Sequence, residues 1–189
     1  VITKELFDEQ FYNERIFNSK TNNFKIFYFY ILRILDLLFR KKPYIAIIHI
    51  ETLPLIPFLA EFIFKLRKIP YIIDIDDAVY YRFRNKSKIL FILDLLKFKV
   101  MAKNASGILA GNYFHYNFFT NFNKNVFYFP TLIDFNKYND FEKYNKHKNF
   151  TIVWIGTPST THYLQKLIPV INNIKKIRNI DIKLIGADE

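Results

Sequence analysis

Six short apolar runs, spaced through the chain with room for a helix between most of them, constrain this sequence more than any other feature. They are "YIAIIHI" (44–50), "IPYIIDI" (69–75), "GILAG" (107–111), "VFYFPTL" (126–132), "TIVWIG" (151–156) and "DIKLIGA" (181–187). The first is continuously apolar and β-rich, the pattern of a strand buried on both faces of a parallel sheet. The intervening segments read as helices. "ETLPLIPFLAEFIFKLRK" carries Pro54 and Pro57 near its start, where proline is tolerated. "KSKILFILDLLKFKVMAKN" (86–104) is apolar on nearly every face, so it is expected to be either deeply buried or membrane-facing. "NYFHYNFFTNF" predicts a short aromatic helix. Strand and helix in alternation specify an α/β fold with a mainly parallel sheet.

Before the first strand, residues 3–18 are polar with a weak helical pattern. In "FKIFYFYILRILDLLFRKK" (24–42) the polar residues Lys25, Arg33, Asp36 and Arg40 make one narrow stripe on a helix. These interruptions rule out a transmembrane span, which leaves a core helix or one lying on a membrane surface. After the fourth strand, "IDFNKYNDFEKYNKHKNF" lacks apolar periodicity and predicts a linker. The chain then restarts with a strand and the helix "THYLQKLIPVINNIKKI", whose Leu164, Leu167, Ile168, Ile171 and Ile174 share a face. Pro169 inside that helix is expected to kink or divide it.

Half of the residues are hydrophobic, so a sizeable core is available. The net charge of +11 rests on 21 lysines against 7 arginines amid abundant Ile, Phe, Tyr and Asn. That drift follows from an AT-rich genome, and no nucleic-acid partner is expected from it. The excess favours anionic partners such as phosphorylated ligands or an acidic membrane surface. Cysteine is absent, which excludes disulfides and thiol catalysis and fits a reducing compartment. No signal peptide is visible, Val1 stands first, and an apolar run lies close to the end; a piece of a longer protein is expected.

In open α/β sheets, ligands bind beyond the carboxyl ends of the strands. His49 to Glu51, Asp74 to Asp77, Gly111-Asn112 and "GTPSTTH" (156–162) all fall at that edge. Only four glycines occur, and Gly111, Gly156 and Gly186 each directly follow an apolar run, as a sharp turn or a close backbone approach requires. In "WIGTPSTTH" the residues Ser159 to Thr161 are good N-caps, and the helix start is a candidate phosphate site. Neither a P-loop nor a dinucleotide fingerprint is present. The four histidines share no metal-ligand spacing, and Ser19, Ser87, Ser106 and Ser159 lack a nucleophile-elbow context.

"DIDDAVY" is the sharpest puzzle. Carboxylates about 4–6 Å apart repel by roughly 3–4 kcal/mol at an effective dielectric near 20. If the strand continued, Asp74 and Asp76 would share one face and Asp77 the other. The three could hold Mg²⁺, serve as the strand-end nucleophile motif of haloacid-dehalogenase-like phosphatases, or line a cleft that accepts hydrogen bonds or a proton from hydroxyls. They could also be purely structural, with Asp77 capping the next segment. The phosphatase reading lacks a later acidic pair, apart from the terminal Asp188-Glu189.

Taken in order, "IHIETLPLIPFLAEF", "IPYIIDIDDAVYYRF", "ASGILAGNYFHYNFF", "VFYFPTLIDFNKY" and "IVWIGTPSTTHYLQKLIPVI" resemble the family 4-like glycosyltransferases of bacterial surface-polysaccharide and glycolipid synthesis. The likeness spans roughly residues 44–189. It implies a GT-B architecture, with two Rossmann-like domains facing across a cleft. Residues 1–136 would be the acceptor-side domain, incomplete at its start, 137–150 the linker, and 151–189 the truncated start of the donor domain. The implied reaction moves a sugar from a nucleotide-sugar to an acceptor hydroxyl on a sugar or lipid-linked acceptor, with retention and with no cofactor or essential metal.

Asp76 stands where many relatives have an active-site histidine, and Asp76 with Asp77 are the implied catalytic residues. Glu51, Asp74, Arg82 and Asn112 would line the acceptor side, Arg82 offsetting the acids. Gly156, Thr157, Ser159 and Thr160 would meet the donor diphosphate. The resemblance further implies a cytoplasmic enzyme at the inner face of the membrane. The glycine-rich loop of the first domain and the later lysine and glutamate motif are absent, so the chain as given is expected to be inactive alone. A non-catalytic membrane-surface module is the remaining alternative.

Overall fold

The computed structural model describes residues 4–12, 22–137, 149–157 and 160–186. The chain divides into two compact units, Val1–Leu6 with Asn23–Ile133, and Phe7–Asn22 with Asp134–Glu189. Apart from residues 137, 149 and 150, the expected linker lies outside the described residues, as does Ser159.

The first unit is a mixed α/β structure with a four-stranded parallel sheet, consistent with a Rossmann-like fold. Its elements run α1 (Asn23–Phe39), β1 (Ala46–His49), α2 (Leu59–Leu66), β2 (Tyr71–Ile75), a 3₁₀ turn (Val79–Tyr81), α3 (Lys88–Asn104), β3 (Gly107–Ala110), α4 (Tyr113–Phe119) and β4 (Val126–Tyr128). The strands lie side by side in chain order, β1-β2-β3-β4, all parallel. His49 is level with Asp74, and Ile75 with Ala110, so the carboxyl ends of the first three strands finish together.

Burial follows position in the sheet. Apart from Asp74 near the end of β2, the central strands β2 and β3 are apolar, and Ile73, Ile75, Ile108 and Ala110 have no exposed surface. In β1 only Ile48 is buried, while Ile47 is 69% exposed. The expectation that this run is covered on both faces therefore fails. Strand β1 is the edge of the sheet among the described residues, and an edge strand has a neighbour on one side only.

Helix ends are fixed by specific partners. The Arg67 guanidinium donates to the carbonyls of Leu37 and Arg40, which satisfies the end of α1 with a cation where the helix dipole is negative. The Asn123 carboxamide donates to Ala102 at 2.7 Å and to Ala105 at 2.8 Å, closing α3. Helix α2 starts later than its sequence suggested. Pro54 and Pro57 precede it, and Leu55 and Phe58 both hold left-handed backbone angles, so the chain turns twice before helix begins at Leu59.

The second unit contributes a 3₁₀ turn (Phe135–Lys137), β5 (Phe150–Ile155), α5 (Thr161–Ile177) and β6 (Ile180–Ile185), with β5 and β6 paired in parallel. Pro169 does not divide α5, which runs unbroken for 17 residues. Proline deprives the helix of one amide donor, the one that would reach the Gln165 carbonyl, and the turns on either side continue without it. Leu164 is the buried member of the apolar face, with Ile171 and Ile174 partly buried and Leu167 and Ile168 about half exposed.

Trp154 is the single tryptophan and lies in β5, so its fluorescence reports on this unit alone. Pro169→Ala restores the missing amide at an exposed position and is expected to stabilise the unit by about 1–3 kcal/mol. A urea titration followed by Trp154 emission, with a midpoint that rises, is the check.

Candidate functional site

The acidic stretch sits at the carboxyl edge of the first unit's sheet. Strand β2 ends at Ile75, so the alternation expected to send Asp77 to the opposite face does not apply; Asp76 and Asp77 lie in the turn that follows. Asp74 is still in the strand, level with His49, whose Nδ1 lies 3.3 Å from its Oδ2. A cleft of about 320 Å³ opens here, lined by His49, Asp74, Asp76 and Gly111 together with Phe129 and Thr131. Asp77 is exposed, and its carbonyl accepts from the Val79 amide at 2.9 Å, starting the 3₁₀ turn.

Asp76 combines a held backbone with an exposed side chain. Its carbonyl accepts from His115 Nε2 at 2.8 Å and lies 3.5 Å from the side-chain Nδ2 of Asn112. A carbonyl can only accept, which assigns the hydrogen to His115 Nε2 and leaves Nδ1 to accept from the Tyr80 hydroxyl at 2.9 Å. Both His115 and Tyr80 are buried, and Tyr80 stacks on Phe118 with ring centres 4.2 Å apart. Burial pushes the Tyr80 phenol well above its ordinary value, so it stays a hydroxyl. Gly111 completes the support. A Cβ there would lie 3.1 Å from both Cα and Cβ of Asp76, tighter than ordinary contact.

Asn112, expected to line the acceptor side, is not among the residues that line the cleft; it is the N-cap of α4, its oxygen accepting from the His115 backbone amide at 3.0 Å. Sequence reasoning missed His115 and Tyr80. A lone buried histidine has no spacing signature, and only the fold brings it under Asp76.

Glu51 and Arg82 are drawn elsewhere. Arg82 forks between two carboxylates: Nη1 donates to Glu51 at 2.5 Å, while Nε and Nη2 donate to Asp94 at 2.6 and 2.9 Å. Lys97, 1% exposed, donates to Glu51 at 2.7 Å and to the Leu53 carbonyl at 2.6 Å. Arg82 therefore neutralises Glu51 and Asp94, not the aspartates it was expected to offset, because its planar fork matches two inward carboxylates in a partly dry setting. Burial alone would raise the Glu51 carboxyl; the hydrogen bond from Arg82 and the charge of Lys97 outweigh it and hold the group below its ordinary value. Asp94 and Lys97 were also missed, being hidden in a helix that reads as apolar.

Glu61, on α2, is 5% exposed, and its Oε2 has no hydrogen-bond partner. Desolvation, aided by the charge of Glu51, raises its carboxyl above the ordinary 4.5, although its own backbone amide and Lys97 pull the other way. Among the described residues no three His, Cys, Asp or Glu side chains gather as a metal cage.

In the second unit, Gly156 and Gly186 meet at the carboxyl ends of β5 and β6. The Gly156 amide donates to Ile185 at 3.1 Å, and a Cβ on Gly186, which has φ +74°, would strike the Gly156 carbonyl at 2.2 Å. The Thr160 hydroxyl was expected to cap the following helix. Instead it turns back to the loop, accepting from the Thr157 amide at 3.0 Å and donating to the Thr157 carbonyl at 2.8 Å. No protein-family model matches the chain, and neither a curated protein nor a solved structure matches it.

Two substitutions separate the roles of the buried charges. Arg82→Leu strands Asp94 and leaves Glu51 to Lys97 alone, and is expected to cost about 3–5 kcal/mol in urea unfolding. Glu61→Gln removes a carboxyl whose charged form burial disfavours, and should stabilise by about 1–2 kcal/mol at pH 7. A raised folded-state value means that the stability tied to Glu61 is intact below the ordinary 4.5 and lost as pH rises through the raised value. The gain from Glu61→Gln should therefore shrink to nothing at pH 4, which urea midpoints across that range measure.

Proposed function

We propose that this chain carries the acceptor side, and part of the donor side, of a glycosyltransferase that moves a sugar from a nucleotide-sugar to an acceptor hydroxyl. The observation that carries the reading is the construction at Asp76: a carboxylate displayed in an open cleft while its own backbone is held by His115, Asn112 and Gly111. Groups that act on a substrate need that pre-set position, since misplacement of an ångström is costly in rate. Carboxylates suit sugar hydroxyls, which they can hold by accepted hydrogen bonds. The exposed ring of Phe129, which also lines the cleft, offers an apolar surface to match the apolar face of a pyranose.

In this reading the acceptor hydroxyl approaches Asp76, which takes or shares its proton while the acceptor oxygen bonds to the anomeric carbon. The bond from that carbon to the diphosphate oxygen breaks, and the nucleoside diphosphate leaves. The His49–Asp74 pair orients neighbouring hydroxyls. Asp77, exposed beside Asp76, is a second acceptor-side carboxylate. The diphosphate would lie against Gly156, Thr157, Ser159 and Thr160; the missing side chain at Gly156 itself makes room for the Trp154 ring and the Thr160 hydroxyl.

Asp76→Asn in the intact protein keeps the shape of the side chain and removes its basicity. Transfer from nucleotide-sugars to hydroxyl acceptors should fall about 100-fold or more, with an unchanged circular dichroism spectrum. Undiminished transfer would refute the assignment, as would Mg²⁺-dependent phosphatase turnover in the absence of any transfer.

A further inference from the structure

We propose that Tyr80, acting through His115, is a positioning residue for the Asp76 carboxylate, a role that rests on the sugar-transfer reading. Neither side chain lines the cleft, and both are buried, Tyr80 with no exposed surface and His115 with 1%. The surrounding core accounts for the Tyr80 ring but not for its hydroxyl. The ring packs among Tyr81, Phe98, Phe118 and Phe119, with ring centres 4.2 to 5.7 Å away. A phenyl group would make every one of these contacts, and the chain uses phenylalanine at 22 positions. A buried hydroxyl is costly unless it is hydrogen-bonded, and this one bonds to His115 Nδ1 at 2.9 Å. The other ring nitrogen, Nε2, bonds to the Asp76 carbonyl at 2.8 Å. Two buried polar side chains therefore converge on one backbone oxygen, at the residue whose carboxylate opens to the cleft.

The order of donors gives the pair its direction. A carbonyl only accepts, so the bond to Asp76 exists only while Nε2 carries the hydrogen. A neutral imidazole has a single ring hydrogen to place, and the bond made at one nitrogen decides the state of the other. By donating to Nδ1, the Tyr80 hydroxyl keeps that nitrogen an acceptor and the hydrogen on Nε2. With the hydrogen on Nδ1 instead, Nε2 would turn a lone pair toward the carbonyl oxygen and repel it. The Asn112 side chain accepts from the His115 backbone amide at 3.0 Å, which anchors the histidine at the start of its helix. The Asp76 carboxylate has no ion-pair partner among the described residues, so its aim depends on the backbone that His115 holds. Tyr80 thus fixes the tautomer, the tautomer fixes the carbonyl, and the carbonyl fixes the direction from which the carboxylate leaves the turn.

Two measurements on the intact protein test this. NMR of ring-labelled histidine nitrogens reads the tautomer without any sugar transfer. His115 should carry its hydrogen on Nε2 at neutral pH, and Tyr80→Phe should move the ring toward the Nδ1–H form. The second measurement is a mutant cycle on transfer. It follows nucleoside diphosphate released from UDP-glucose, UDP-galactose, UDP-N-acetylglucosamine and GDP-mannose, with octyl glucoside as acceptor. Tyr80→Phe should lower kcat about tenfold and His115→Leu about 100-fold, with donor KM and circular dichroism unchanged. His115→Gln keeps an amide donor at similar reach and should recover most of that loss. In an Asp76→Asn background, Tyr80→Phe should lower the residual rate by less than about twofold, because the two act as one unit. No release from any of the four donors, or Asp76→Asn without effect, refutes the sugar-transfer reading, and the positioning role falls with it. Slow transfer by Asp76→Asn beside full-rate transfer by Tyr80→Phe overturns the positioning role alone. So does an equal loss from Tyr80→Phe in both backgrounds, or an Nδ1 hydrogen in the unaltered protein.

Discussion

The Arg82 guanidinium, forked between Glu51 and Asp94, is the interaction on which the first unit depends. Glu51 lies just past β1, Arg82 closes the 3₁₀ turn after the acidic stretch, and Asp94 belongs to α3. One side chain thus ties an edge strand, the turn that presents the aspartates, and the longest helix packed on that turn. Lys97 extends the tie to the Leu53 carbonyl. Taking such charges out of water cancels most of what their attraction returns, so the network adds little net stability compared with apolar packing. What it supplies is register: with only one arrangement able to pair every charge, the turn has only one place to be.

The same network explains how the acids are sorted. Glu51 and Asp94 are buried and paired, whereas Asp74, Asp76 and Asp77 lie at the sheet edge, with solvent to relieve their repulsion and His49 beside Asp74. A chain rich in lysine places no lysine or arginine within ion-pair distance of these three among the described residues. The turn is held through its backbone and through Tyr80, so the carboxylates themselves stay available.

Helix α3 shows the other consequence. Once its polar side chains are committed to the interior, its aliphatic ones face outward, and an apolar helix sequence becomes a surface feature. In the second unit the geometry is governed by glycine: a Cβ on Gly186 would strike the Gly156 carbonyl, and one on Gly156 would strike the Trp154 ring, so β5 and β6 can finish together.

Much of this was written in the chain. The apolar runs fixed the parallel α/β fold, since continuous β-rich segments alternating with helices have few other solutions. Gly111, Gly156 and Gly186 marked strand ends, and "DIDD" marked a sheet edge, because glycine and clustered acids are excluded from strand interiors by entropy and repulsion. Other features needed three dimensions. Glu51 and Arg82 looked like members of the acidic cleft, and His115, Asp94 and Lys97 like nothing in particular. Their partners lie 12 to 46 residues away in the chain, and only folding brings those atoms within hydrogen-bonding reach. Local chemistry sets which elements form, through side-chain periodicity and backbone freedom. Which charges meet depends on distance, and distance between remote residues is a property of the folded chain alone.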